Sequence, residues 1–455
     1  MKRRDFIKGA LGAFGSFFCG GLIAAPPGWK HEGTPNLVFG VISDTHLRTT
    51  TWGNNPGAYW PVKYLEAALN YFREQNVDAI VHCGDLAHRG QVRELEFHAS
   101  VWRRVFAGGP EPVKLFVAGN HDVDGAKYGD FVRNRYPDET ERAKHVLATD
   151  MPGHWQRIWG EKYEPVWHKE VKGYHFFGRH WGVEEADAIR TLGSWTPESG
   201  GSEVPRPFFY IQHSRPSAAV RRGLLRHTGG VAFFGHNHWS VTNWNILSLY
   251  NGRLPVIQCA SCEPRGCAAL VGDAWITKAA QIEGREQTSK GRQGYVVRVY
   301  DDMLVLERRE FGEGGALGSD WIMPFGKTNP HPFVRPELQK VIGEPQFRDG
   351  AKIAMENLDA EVPAVKLTIP PADANPDSRV YAYEVTVQGQ EGTKPLCKAV
   401  YAAGVNLGMG HEPNGGVTEL LIPKSELPRG TAHTYTVRPL TSLGTAGRAI
   451  EVREE

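Results

Sequence analysis

Leu37-Val38-Phe39-Gly40-Val41-Ile42-Ser43 is a short apolar, β-rich run that stops abruptly at Asp44-Thr45-His46. The chain repeats this device four more times. Val77-Asp78-Ala79-Ile80-Val81-His82-Cys83 ends in Gly84-Asp85, and Val113-Lys114-Leu115-Phe116-Val117-Ala118 ends in Gly119-Asn120-His121-Asp122. Phe208-Phe209-Tyr210-Ile211-Gln212 ends in His213, and Val231-Ala232-Phe233-Phe234 ends in Gly235-His236-Asn237-His238. Helical spacing lies between such runs. Leu65, Ala68, Leu69 and Phe72 mark a helix over Pro61–Gln75, and Val92, Leu95, Ala99, Trp102 and Phe106 mark one over Val92–Phe106. Alternation of this kind predicts a layered α/β domain, and in an open α/β sheet ligands bind at the C-terminal edge of the strands.

Outward from this core, Tyr295–Tyr300 and Met303–Arg308 flank Asp301-Asp302 and read as a hairpin closing the domain. Lys327–Pro345 holds Pro330, Pro332, Pro336 and Pro345 without a period, which suits a linker. Beyond Ala351 the texture becomes all-β: Arg379–Gln388, Lys398–Ala403, Val417–Ile422 and Thr434–Pro439 alternate or are β-branched between turns. Four segments result: residues 1–30, an α/β domain over 35–326, a Pro-rich linker over 327–350 and a β-sandwich over 351–455. The last has nothing that concentrates chemistry, so packing or spacing is its expected role rather than glycan or protein binding.

The whole chain has 455 residues, 41% hydrophobic and 23% charged, which excludes wholesale disorder and allows two or three domains. Gly is abundant, at 52 residues, without a collagen-like period, which implies many tight turns. Net charge is +1. Residues 1–25 contribute Lys2, Arg3, Arg4 and Lys8 against Asp5, a surplus of three, so the remainder carries −2. No nucleic-acid partner is expected on that balance.

The start itself, Met1-Lys2-Arg3-Arg4-Asp5-Phe6-Ile7-Lys8 followed by the apolar, Gly/Ala-rich run Gly9–Ala25, reads as an export signal. It resembles the twin-arginine (Tat) signals of bacteria. That resemblance implies contact with the Tat translocase during export, cleavage near Ala24–Ala25, no stable membrane span afterwards, and a periplasmic or extracellular location. Cys19 follows Phe18, which is too large for a lipobox. Cys83, Cys259, Cys262, Cys267 and Cys397 are odd in number, so at least one thiol stays unpaired. A disulfide among Cys259, Cys262 and Cys267 would suit an oxidising compartment, and buried free thiols are at least as good a reading.

The strand ends deliver carboxylate, amide and imidazole groups and no thiolate: Asp44, His46, Asp85, Asn120, His213, His236 and His238. Seven such ligands exceed what one tetrahedral ion needs and suit two first-row metals. Two ions about 3.5–4 Å apart can clamp both oxygens of an in-line displacement at phosphorus. Asp85 is the natural bridge, since one carboxylate can give an oxygen to each ion. A glycine beside Asp85, Asn120 and His236 removes a Cβ where the backbone turns closely.

Asp44-x-His46, Gly84-Asp85, Gly119-Asn120-His121-Asp122, His213 and Gly235-His236-x-His238 resemble, in order, the five motif blocks of the calcineurin-like metallophosphoesterases. The resemblance covers roughly residues 36–310 and implies a layered α/β-β sandwich. Together with the export signal it implies an exported hydrolase cleaving a phosphomonoester or phosphodiester, with a lean to small-molecule and nucleotide diesters. Two divalent or trivalent transition-metal ions (Mn, Fe or Zn) would be its cofactors. Asp44, His46, Asp85 and His238 would hold one metal, and Asp85, Asn120, His213 and His236 the other. A metal-bound hydroxide would be the nucleophile, and His121 would stand at the leaving-group oxygen as acid or as stabilising charge. The C-terminal segments Tyr383–Val387 and Tyr435–Thr441 diffusely resemble a fibronectin type III domain.

Two departures qualify these implications. Gly84-Asp85-Leu86-Ala87-His88-Arg89-Gly90 has His88 where the family's protein phosphatases carry an Asp that partners the catalytic His. The same His88 stands where purple acid phosphatases need a Tyr ligand. The Gly-Asp-Leu-Ala form leans toward the small-molecule and nucleotide phosphodiesterases. His82, His98, His145, His154, His168, His175 and His180 are read as structural, His98 on the helix face away from the apolar stripe. Trp155, Trp159, Tyr163 and Trp167 are read as core or lid, and Val123–Pro207 as substrate-facing loops. The rival class is a non-catalytic surface or binding protein on a degenerate phosphoesterase fold, for which missing ligands would be the sign.

Overall fold

The computed structural model describes residues 23–24, 31–49, 60–124, 134–195, 206–242, 246–251, 253–262, 282–283, 291–325, 343–374, 379–441 and 444–454. The export signal lies outside these apart from Ile23–Ala24, as do Cys19, Cys267 and residues 327–342 of the linker. No helix among the described residues is long and apolar enough to cross a membrane.

Two sheets stack face to face. The first holds β1 (Ile23–Ala24), β2 (Leu37–Ile42), β3 (Ala79–His82), β4 (Val113–Phe116), β12 (Gln293–Val299), β13 (Met303–Glu310) and β14 (Trp321–Pro324). Its order is β1-β14-β13-β12-β2-β3-β4, with β2, β3 and β4 parallel. The second holds β5 (Val166–Val171), β6 (Tyr174–Arg179), β7 (Phe208–Gln212), β8 (Gly230–Phe234), β9 (Leu247–Tyr250) and β10 (Leu254–Gln258). Its order is β5-β6-β7-β8-β10-β9, with β6, β7 and β8 parallel.

Between the sheets, Phe39 meets Phe176, Phe209 and Phe233 edge-on at 4.9–6.0 Å, all buried. Truncating a ring in such a core costs about 3–5 kcal/mol. The helices α1 (Trp60–Glu74) and α2 (Val92–Val105) cover the outer face of the first sheet through Leu65, Leu69, Phe72, Leu95 and Trp102. Val123–Pro207 is more than loops. It contains α3 (Asn120–Val123) at its start, then α4 (Glu139–His145), α5 (Met151–Trp159), the β5–β6 hairpin and α6 (Glu185–Ser194). With α7 (Ala218–Leu224), α6 covers the second sheet's outer face. Trp155, Trp159 and Trp167 are core.

The C-terminal region is all-β. A five-stranded sheet runs β11 (Ile282–Glu283), β20 (Leu396–Tyr401), β19 (Val380–Gln388), β22 (Thr434–Thr441), β23 (Ile450–Arg453). It packs on a three-stranded sheet of β16 (Ala354–Leu358), β17 (Ala364–Ile369) and β21 (Thr418–Pro423) through one core that includes Val365, Leu367, Val385 and Val437. A small pair, β15 (Gln346–Phe347) and β18 (Ala372–Asp373), completes it. Strand β11, from the chain between the two halves of the α/β domain, pairs with β20, so the two lobes share a sheet.

The reading of His98 changes, and of the two cysteine readings the buried free thiols hold. His98 is buried in the core, at 1% exposure, with His82, Phe116 and Trp159 against it. It stands three residues after Leu95 and four before Trp102, which is the apolar stripe itself. Cys259 and Cys262 are free buried thiols, and Cys259 Sγ lies 3.5 Å from Cys83 Sγ.

At the start of α2, the buried Glu94 carboxylate accepts the Arg89 and Gln91 backbone N–H groups at 2.8 and 3.2 Å. Burial pushes its pKa up to about 7 from an ordinary 4.5, against those hydrogen bonds. The folded chain therefore holds this proton more tightly than the unfolded chain. Glu94's contribution to stability is full below pH 4.5 and is lost as pH rises through 7. Urea unfolding of the wild type and Glu94→Gln should show the wild type losing up to about 3 kcal/mol relative to the variant between pH 4.5 and 8. A relative gain over that window would contradict the assignment.

Candidate metal centre

Parallel strands of both sheets end at one place. β2 delivers Asp44 and His46, β3 delivers Asp85, and β4 delivers Asn120 and His121 at the first turn of α3. From the second sheet β7 delivers His213, and β8 delivers His236 and His238. Asp44, His46, Asp85 and His213 are each at most 2% exposed.

The side chains form two joined clusters. In one, His238 Nε2 stands 3.1 Å from Asp44 Oδ1 and 3.1 Å from His46 Nε2. In the other, His213 Nε2 stands 3.1 Å from Asp85 Oδ2, 2.9 Å from Asn120 Oδ1 and 3.2 Å from His236 Nδ1. His236 Nδ1 is 3.0 Å from the same Asn120 oxygen. Asp85 Oδ2 also lies 3.5 Å from His46 Nε2, so one oxygen faces both clusters. Each set offers ligand atoms at metal-cage separations.

Backbone groups aim both carboxylates. The His236 N–H donates to Asp44 Oδ2 at 3.0 Å, which leaves Oδ1 for His238. The His121 N–H donates to Asp85 Oδ1 at 2.8 Å, which leaves Oδ2 between the clusters. His213 Nδ1 donates to the Cys83 carbonyl at 2.8 Å, so Nε2 points inward. Burial alone would raise both carboxyls, but the surrounding imidazoles prevail. Asp85 is held at about 2 by His213, and Asp44 well below the usual range by His238 and His46. In return His213, which burial would lower, is raised to about 9 by Asp85.

The chain bends sharply to achieve this. Asp44, His46, Asp85, His236 and His238 all have φ between 45° and 75°, half of the ten described non-glycine residues with positive φ. Such backbone costs about 1–2 kcal/mol per residue and gathers at functional sites. Glycines supply the room. A Cβ at Gly119 would lie 2.1 Å from Asp85 Oδ1, and one at Gly235 would lie 1.9 Å from Ser43 Oγ.

Supporting residues stand behind these ligands; Asp122 as a partner and Trp181 escaped the sequence reading, while His82 and His180, read as structural, are so. Asp122 is buried and accepts the Leu86, Ala87 and Gly119 N–H groups at 3.2, 2.7 and 2.8 Å, locking the second and third blocks together. His82 accepts the Gly84 N–H at Nδ1 and meets Thr45 Oγ1 at Nε2. His180 accepts the Ala118 N–H at 2.8 Å. Burial holds both imidazoles near 3, hence neutral, as an acceptor nitrogen requires. Trp181 stacks on His236 at 5.6 Å and donates from Nε1 to Asp124 at 3.0 Å. Trp181 lies two residues past β6, so the strand-end rule would have found it.

His121 Nδ1 donates to the His88 carbonyl at 2.7 Å, and its ring meets the His46 ring edge-on at 4.4 Å. The partner of His121 is thus a backbone carbonyl. The His88 ring lies 5.6 Å from it, roughly stacked.

Residues 37–240 match the family of calcineurin-like phosphoesterases. No curated protein matches the chain. Among solved structures it is similar to a dimetal phosphatase from Danio rerio, with 12% identity, 64% of this chain and 100% of that one covered, and a TM-score of 0.35. It is also similar to the purple acid phosphatase PPD1 from yellow lupin, Lupinus luteus, with 12% identity, coverage of 63% and 54%, and a TM-score of 0.41. A third likeness is Yfce, a phosphoesterase from E. coli, with 11% identity, coverage of 62% and 98%, and a TM-score of 0.27.

Gly119→Ala tests the cage directly, because Gly119 has an ordinary φ of −97° and only space is at stake. The added methyl must displace Asp85, whose carboxylate oxygen and backbone nitrogen would lie 2.1 and 2.4 Å away. Affinity for added Mn²⁺ or Zn²⁺, read by calorimetry, should fall about 10–100-fold while the far-ultraviolet spectrum stays unchanged. Unchanged affinity would mean that Asp85 is not a ligand.

Proposed function

We propose that this phosphoesterase domain is a two-metal hydrolase of small-molecule phosphoesters, with the diesters of nucleotide-like compounds as the favoured substrates. The carrying observation is the placement of Asp85 Oδ2 within 3.1 Å of His213 and 3.5 Å of His46, between two sets of inward-facing nitrogens. The donor set fits the group. It is all oxygen and imidazole nitrogen, as Mn, Fe or Zn accept, and two buried carboxylates call for cationic charge beside them. Asp44, His46, Asp85 and His238 would hold one ion, and Asp85, Asn120, His213 and His236 the other. When bound, the ions would acidify a water and neutralise phosphoryl oxygens.

The chain's own groups supply the rest. A carbonyl can only accept, so the proton of neutral His121 sits on Nδ1, facing His88. Donation to the leaving ester oxygen would come from Nε2 of the imidazolium form, which carries both ring protons and gives up that one as the P–O bond breaks. The main-chain N–H of the same residue keeps Asp85 aligned, so His121 couples the reacting oxygen to the bridge. The lean to diesters follows the Gly84-Asp85-Leu86-Ala87 form of the second block. Export rests on the basic and apolar start of the chain. A route that carries folded proteins would let the metals be loaded before translocation.

Hydrolysis of bis-p-nitrophenyl phosphate and p-nitrophenyl phosphate with added Mn²⁺, Zn²⁺ or Fe²⁺ tests the activity. Turnover should vanish with a chelator and with Asp85→Asn, and kcat should fall about 10²–10⁴-fold in His121→Ala. Metal-loaded protein inert on both esters would instead support a non-catalytic binding role. The export reading is checked separately by fractionation. The full chain should reach the periplasm of a Tat-competent bacterium, and Arg3→Lys with Arg4→Lys should retain it in the cytoplasm.

A further inference from the structure

A side chain at the boundary of the two lobes ties the C-terminal β-sandwich to the framework of the metal centre. Gln293, the first residue of β12, is fully buried, and so is Asn406 in the turn after β20. The Gln293 Oε1 atom accepts the Ser240 hydroxyl at 2.9 Å and the Val241 N–H at 2.8 Å. Its Nε2 donates to the Asn406 carbonyl of the sandwich at 2.6 Å. Ser240 follows His238 by two residues, so the amide holds the chain just past that ligand.

The main chain of Gln293 reaches the other side of the same cluster. Its N–H donates to the Ser261 carbonyl at 3.2 Å, and the Ser261 hydroxyl donates to the Asp44 carbonyl at 3.0 Å. The Cys262 N–H donates to the Ser43 carbonyl at 3.1 Å. Gln293 is therefore tied to Asp44 on one side and to His238 on the other, the two groups that meet at 3.1 Å. His236 shares the loop that Gln293 holds, four residues before Ser240, whereas among the described residues no hydrogen bond joins Gln293 to the segments carrying Asn120 or His213.

On the sandwich side the anchor is itself fixed. Arg379 donates to the Leu407 carbonyl, to the Gly404 carbonyl at 3.3 Å and to the Glu412 carboxylate at 3.2 Å, which shapes the turn presenting Asn406. Glycine at 291 lets the lobes close here, because a Cβ would lie 2.4 Å from the Asn406 oxygen. A buried amide whose oxygen accepts two hydrogen bonds and whose nitrogen donates one across the lobe boundary is a rigid strut, and partners of ligand segments tune metal affinity.

We infer that the sandwich is a working part of the metal centre: through Gln293 it positions Asp44 and His238, and so sets the affinity of the Asp44–His46–His238 site selectively. Gln293 is a positioning residue that touches neither metal nor substrate. The inference rests on the two-metal reading above and extends it, since it gives the sandwich a role and the two ions unequal dependence on it.

The test is Co²⁺ titration of the full chain, followed by its visible d–d bands and by calorimetry. Asp44→Asn identifies the binding step that belongs to the first site, and Asp85→Asn should disturb both steps. Gln293→Met removes the amide at similar size. Gly291→Ala keeps the amide group but wedges the joint, with a Cβ 2.4 Å from the Asn406 oxygen and 2.8 Å from Gln293 Nε2. Both should weaken the Asp44 step about tenfold, shift its bands and leave the other step within twofold. Two wild-type-like steps in Gln293→Met would overturn the inference. So would a loss confined to Gln293→Met with Gly291→Ala unaffected, since the sandwich would then contribute nothing. An equal loss at both steps with a lowered melting temperature would reduce Gln293 to general stability and also overturn it. Should the wild type bind cobalt no better than Asp85→Asn, the two-metal reading itself fails, a distinguishable result.

Discussion

Two carboxylates buried where two sheets meet cannot remain ionised without positive charge within a few ångströms. Asp44 and Asp85 are in that position, and four imidazoles together with two main-chain N–H groups answer them. The answer is geometric as much as electrostatic. In each carboxylate one oxygen is bound by backbone, and the other is turned toward imidazole nitrogens. Nitrogens that sit 3.1–3.2 Å apart, as in His46 with His238 and His213 with His236, cannot both carry protons toward each other. Such pairs favour a shared proton or a shared cation, and the buried negative charge favours the cation.

The surroundings divide into charged and neutral shells. The residues aimed inward are acids and imidazoles under strain, with left-handed backbone at five of them. Those behind them are buried acceptors. His82 and His180 are kept neutral by burial, and Asp122, raised to about 7 by burial and by the charge of Asp85, accepts three N–H groups. Strain persists only where neighbours over-determine the conformation. Here the loops of the second and third blocks are bound to each other through Asp122, and the loop after β8 is held by Gln293. Neither loop can relax alone.

Much of this was readable from residues because apolar runs end abruptly. Where Leu37–Ser43 gives way to Asp44, a buried strand has no reason to finish in a carboxylate unless its edge is used. Five such endings define an edge before any coordinates exist. The helices α1 and α2 and the β12–β13 hairpin were legible for a similar reason, since their periodicity is local. His98 was misplaced because an imidazole was counted as polar, although its spacing from Leu95 and Trp102 lies on the buried stripe. Val123–Pro207 was read as loops because its helices are short and the β5–β6 hairpin carries His168, Lys169 and Glu170 among its apolar positions. Gln293 was illegible in principle. A glutamine opening a strand has no signature, and its meaning arises only from Asn406, more than a hundred residues later.

The substitution at position 88 shows how geometry can be kept while its chemical means change. A carboxylate behind a catalytic imidazole does two things: it fixes which nitrogen carries the proton, and it adds charge. The His88 carbonyl retains the first and drops the second. His121 Nδ1 is engaged at 2.7 Å, and its main chain is committed to Asp85 at 2.8 Å, so neither the ring nor its backbone can turn independently. Orientation is therefore secured twice over without a second acid. Another anion there would stand close to Asp44 and Asp85, whose charge already exhausts the nearby imidazoles. With a carbonyl instead, the compensation of the buried carboxylates by the neighbouring imidazoles is left undisturbed.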